Sequence, residues 1–117
     1  MDMDRAIPAH AEWKTKLRGA IAKKEQLDAR SIAGDHACEL GKWLHGEGKS
    51  LHGRLPSFGD CVEKHAAFHR EAGKVAVAIN AGKFTDAEVM LGASTPYAAA
   101  STAVGVAIRI LRKDASI

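Results

Sequence analysis

Residues 57–79 read SFGDCVEKHAAFHREAGKVAVAI, from Ser57 to Ile79. Val62, His65, Phe68 or His69, Ala72, Val75 or Ala76 and Ile79 recur every three or four positions. A helix turns once per 3.6 residues, so this spacing puts them on one helical face; a strand would repeat every second residue. Ser57-Phe58-Gly59-Asp60 has capping-box spacing, with Asp in place of Glu or Gln, which predicts a helix opening at Ser57. Gly82 suits the residue just past its end. A helix this long, apolar on one side, needs partners to cover that side.

The flanking sequence supplies them. From Arg5 to Leu27 a helix is predicted, with His10, Trp13, Leu17 and Ile21 on one face and Pro8 tolerated in its first turn. A shorter helix is expected over Asp35 to Leu44, with Asp35 as N-cap and Gly46 and Gly48 ending it. The Gly-rich residues 46–56 form a connection long enough to carry local structure or function. Thr85-Asp86-Ala87-Glu88 repeats the box and predicts a short helix through Met90 or Leu91. Thr95 and Pro96 fit the N-cap and first position of a last helix, in which Tyr97, Val104, Ile108 and Leu111 line one side. No period-2 run of β-branched residues stands out. The expected fold is all-α: an antiparallel four-helix bundle with one shorter connector helix, in a single domain over residues 1–117.

Composition narrows the function classes. The 117 residues are 46% hydrophobic and 26% charged, ordinary for a globular chain. No run approaches the roughly 18 to 20 apolar residues of a membrane span, so no membrane insertion is expected. The acidic start, Met1 to Asp4, lacks the apolar stretch of a secretory signal, which predicts a cytoplasmic protein. In that compartment two cysteines are thiols or ligands rather than a disulfide framework. The net charge of +3 is spread without a basic block, so no nucleic-acid partner is expected. Six histidines equal the whole aromatic complement of two Trp, one Tyr and three Phe.

Those histidines carry the chemistry. His65-Ala66-Ala67-Phe68-His69 puts two imidazoles on one helical face, where both can reach one ion. Alone the motif is loose, and a solvated or core-edge pair explains it as well. His10 on the first helix and Cys38 on the second change that balance. Three imidazoles and one thiolate fill a tetrahedral shell for Zn²⁺, which takes both nitrogen and sulfur ligands. One ion bound by His10, Cys38, His65 and His69 would also staple a small bundle.

The pattern His10-x-x-Trp13-Lys14, Cys38-x-Leu40-Gly41-x-Trp43 and His65-x-x-x-His69 resembles the chemoreceptor zinc-binding (CZB) domain family. Gly46 to Lys49 and Leu55 to Phe58 are similar to it too, and the likeness spans roughly residues 5–112. The resemblance implies a cytoplasmic bacterial regulatory domain with one zinc ion per chain on three His and one Cys. Such domains serve chemoreceptors, diguanylate cyclases and related signalling proteins. They respond to zinc availability or to oxidation of the zinc-bound cysteine. A signalling partner or fused output domain, and a possible homodimer, follow from the same likeness. The chain carries no receptor, cyclase or coiled-coil segment, so it reads as a stand-alone domain or an excised one.

Other readings compete. His65 is followed by Ala66, so the general base of an HExxH hydrolase is missing, and four protein ligands leave no open position; no enzyme activity is expected. A structural zinc-stapled bundle acting as an interaction adaptor is the alternative function. Cys61 lies one turn before His65, about 40° around the helix. It reads first as a small buried hydrophobe and second as a thiol resolving oxidised Cys38. Trp13 and Trp43 read as anchors packed around the site. His36 reads as a capping or supporting residue, with a replacement ligand as the lesser reading, and His45 and His52 as exposed. Zinc affinity is expected to fall in acid as imidazoles protonate, and bound zinc to hold Cys38 as thiolate.

Overall fold

The computed structural model describes residues 1–117, and every regular element is a helix. Three are long: α1 (Met3–Lys23), α5 (Pro56–Asn80) and α7 (Pro96–Ala115). Four are short: α2 (Ala29–Ala33), α3 (Glu39–Leu44), α4 (Glu47–His52) and α6 (Phe84–Met90). Helix α5 is the axis. It packs most extensively on α7, then on α2, α6, α1 and α3. Its face Phe58, Cys61, His65, Phe68, Ala72, Val75, Ala76 and Ile79 is buried, as the sequence period predicts. Leu17 of α1 and Val104, Ile108 and Leu111 of α7 complete the core. Helices α1 and α7 run antiparallel, with Arg112 of α7 on Asp4 of α1 at 2.9 Å. No helix is long and apolar enough to cross a membrane.

Helix boundaries differ from the sequence reading where tertiary contacts intervene. Helix α5 starts at Pro56 with Leu55 as N-cap; Ser57 makes no capping bond. Proline needs no N–H partner at this position and its φ is already helical, so the start moves one residue earlier. The second expected box fails likewise, since Lys83 is the N-cap of α6 and Thr85 lies inside it. Gly82 does terminate α5 at φ +76, with Gly82 N–H on Ile79 O and Lys83 N–H on Ala78 O. Thr95 caps α7 as expected, accepting from Ala98 N–H at 3.2 Å.

Helix α1 stops at Lys23 and does not reach Leu27. Lys24 closes it at φ 55, with Glu25 N–H on Ala20 O, and beyond that turn Asn80 at the end of α5 holds the chain. Its amide takes both backbone groups of Leu27: Leu27 N–H donates to Asn80 Oδ1 at 2.7 Å, and Asn80 Nδ2 donates to Leu27 O at 2.8 Å. Held there, the chain turns into α2, capped by Asp28, which accepts from Ser31 N–H and Oγ–H. The expected helix over residues 35–44 is shortened: α3 begins only at Glu39, with Cys38 rather than Asp35 at its N-cap. Residues 46–56 carry the short α4.

Candidate metal centre

Four side chains converge where α1, α5 and the start of α3 meet. One donor atom from each of His10, Cys38, His65 and His69 lies within 4.8 Å of the others. His65 and His69 come from one face of α5 because they are one turn apart. Their Nε2 atoms lie 3.2 Å and 3.6 Å from Cys38 Sγ. The His10 ring stands edge-on to both, with centroids 5.0 Å and 5.7 Å away. The three imidazoles are buried, and Cys38 is half-buried.

Two of the imidazoles are oriented by backbone carbonyls. His10 Nδ1–H donates to Ala6 O at 2.7 Å, and His69 Nδ1–H donates to Ile32 O at 2.9 Å. With the proton fixed on Nδ1, each Nε2 keeps a free lone pair, the form a metal ion accepts. The Ile32 carbonyl reaches His69 because α2 sits very close to α5. A Cβ on Gly73 would fall 2.5 Å from the Ala33 Cβ, so only glycine permits that approach. Gly73 is four residues from His69, on the same face.

Cys38 depends on an equally tight contact. A Cβ on Gly41 would lie 1.8 Å from the Asp35 carbonyl oxygen, so α3 starts hard against the preceding turn. Gly41 N–H then donates to Cys38 Sγ at 3.3 Å. A crevice lined by Arg5, Ala9, His10, Cys38 and Leu40 opens on this side of the cluster.

Burial treats the two ligand types oppositely. It pushes the His65 imidazole down to about 3, helped by neighbouring His69 and His10. It also lowers His10 and His69, against the opposing pull of their carbonyl partners. It raises the Cys38 thiol, although the Gly41 and Leu40 amides favour the thiolate. The imidazoles are thus neutral at pH 7 while the sulfur keeps its proton. His10 Nε2 is buried with no hydrogen-bond partner, a costly arrangement that a coordinated cation would relieve. The donor set, three nitrogens and one sulfur, suits zinc.

Trp13 meets the cluster, with its ring edge-on to His69 at 6.2 Å. Trp43 does not; it packs on Phe58 and on His52, which is half-buried rather than exposed. Cys61 is fully buried, burial pushes its thiol up to about 12, and it stands outside the four-donor group. The carbonyls of Ala6 and Ile32 are functional groups that the sequence reading missed. The spacing Asp28-x-x-Ser31 marks the cap of α2, but nothing in sequence shows that α2 reaches His69.

The family model of the chemoreceptor zinc-binding domain matches residues 10–76, which include all four clustered side chains. No curated protein and no solved structure gives a match.

Proposed function

Since the chain belongs to the chemoreceptor zinc-binding domain family, we propose that it is a zinc-responsive regulatory module of bacterial signalling. In this reading His10, Cys38, His65 and His69 hold one zinc ion per chain, and the protein binds rather than catalyses. The observation that carries it is the convergence of three buried, neutral imidazoles from α1 and α5 with the half-buried cysteine at the start of α3. The output belongs to a chemotaxis or cyclic-di-GMP partner, fused or associated, in the cytoplasm, and a homodimer is the working assembly. Residues 1–117 act as one domain. Its long helices form an antiparallel four-helix bundle in which short helices fill the fourth position.

The signal is read at Cys38. Zinc supplies the charge that makes a thiolate stable at neutral pH. The thiolate is also the ligand an oxidant attacks: hypochlorous acid converts it to a sulfenic acid and releases chloride. Loss of that ligand frees the start of α3 from α1 and α5. Metal analysis with chelator competition tests the reading. One zinc per chain, released together with oxidation of Cys38, is the expected result. A protein that binds no zinc when it is added overturns the reading. Zinc that neither chelator nor oxidant removes leaves the structural adaptor in its place.

A further inference from the structure

A second group of donors lies on the surface beside the first. Asp35, His36 and His45 bring one donor atom each within 4.8 Å of one another. His36 Nδ1 is 3.0 Å from Asp35 Oδ1, and His45 Nε2 is 2.9 Å from Asp35 Oδ2. The two imidazoles stack, with centroids 4.2 Å apart and planes 14° from parallel. A plain surface ion pair needs one cationic partner per carboxylate. Here two imidazoles meet on the two oxygens of the same one. Together they present two nitrogens and a carboxylate, ligands typical of divalent zinc, nickel and copper.

We propose that Asp35, His36 and His45 form a second, exposed binding site for a divalent cation of the zinc, nickel or copper(II) class. Two of the three ligands stand on fixed backbone. Asp35 is held by the close approach of Gly41, and His45 caps the end of α3 with its N–H on Gly41 O. His36, whose side chain is 75% exposed, is free to turn out of the stack and bring Nδ1 into line with an ion. Three protein ligands leave positions for water, so this site binds more weakly and exchanges faster than the buried one. Asp35 lies three residues before Cys38, and His45 ends the helix that Cys38 begins. An ion here ties both ends of α3 together and stiffens the segment that carries the thiol. The protein then has two thresholds, a buried site filled first and a surface site filled as the cation becomes abundant.

Titration of zinc-free protein with Co²⁺ tests this, because a sulfur ligand gives a thiolate-to-cobalt charge-transfer band and a His/Asp site does not. The expected course is a first equivalent with that band and a second without it. His36→Ala and His45→Ala, both at exposed positions, each weaken the second step about tenfold or more and leave the first unchanged. Saturation at one equivalent overturns the proposal. So does a second equivalent that survives at wild-type affinity in both variants. Absence of the charge-transfer step instead counts against the buried zinc site, so the two failures are distinct.

Discussion

The imidazoles on α1 and α5 and the thiol at the head of α3 are prepared for a metal in opposite ways. The histidines are buried on helices of 21 and 25 residues and are driven neutral by burial. Cys38 is half-buried on a helix of six residues, and burial holds its proton on. Three ligands are therefore preset, and the fourth is completed by the ion itself. That asymmetry suits the proposed function: a fixed binding platform and one ligand whose protonation depends on the ion.

The largest effect that would break the contrast is loss of a preset ligand. Binding of structural zinc releases about 10–16 kcal/mol in small domains, so one of four ligands is worth roughly 3 kcal/mol, or more than a hundredfold in affinity. His65→Ala and His69→Ala should each lose that much by competition with a chromophoric chelator. Cys38→Ser should weaken binding on a similar scale but leave α1 and α5 joined through the imidazoles. Its hydrogen exchange should rise over residues 34–53 and stay flat over 60–75. Uniform exchange changes in both variants would erase the distinction.

Protons sharpen the same contrast. At pH 7.5 the histidines need release nothing on binding, and Cys38 must release one. Calorimetry in buffers of different ionisation enthalpy should show about one proton released by the wild type and almost none by Cys38→Ser. The zinc-free protein also carries an acid liability. Folded imidazoles with lowered pKa bind fewer protons than unfolded ones, so stability is full above pH 6.5. It is lost as the pH falls below that value, and continues to fall toward about 3, where His65 itself protonates. Thermal melting of zinc-free protein from pH 8 to pH 4 checks the sign.

Gly73→Ala has a smaller effect and tests how the platform is held. The added methyl meets Ala33 and pushes α2 from α5, taking the Ile32 carbonyl away from His69. Overpacking of this kind costs about 1–3 kcal/mol in stability. Loss of a carbonyl behind a ligating histidine costs roughly 10–100-fold in metal affinity. Chemical denaturation and a zinc competition assay measure the two separately.

The preset half of the site was far more legible in sequence than the half that Cys38 supplies. His65 and His69 announce themselves because helical periodicity alone fixes their shared face, and His10 falls on the matching face of α1. The segment around Cys38 obeys tertiary contacts instead. Asn80 pins Leu27, Gly41 packs on the Asp35 carbonyl, and the helix start slides from Asp35 to Cys38. Each of these contacts joins residues whose meeting no local pattern encodes. Trp43 shows the same limit: its neighbours in sequence include a ligand, yet its ring packs on Phe58 and His52.

The smallest expected effect separates the two cysteines. Cys61 shares α5 with His65 and His69, but its side chain is wholly buried and its thiol stays protonated well above physiological pH. A thiol in that state is a poor nucleophile toward an oxidised partner. Mild hypochlorous acid should therefore modify Cys38 alone, and peptide mass mapping should find no 38–61 disulfide. Cys61→Ala should trim core stability modestly and leave the rate of oxidant-driven zinc release unchanged. A slower or less reversible release in that variant would make Cys61 a working partner of Cys38, and the contrast between a switching thiol and an inert one would fail.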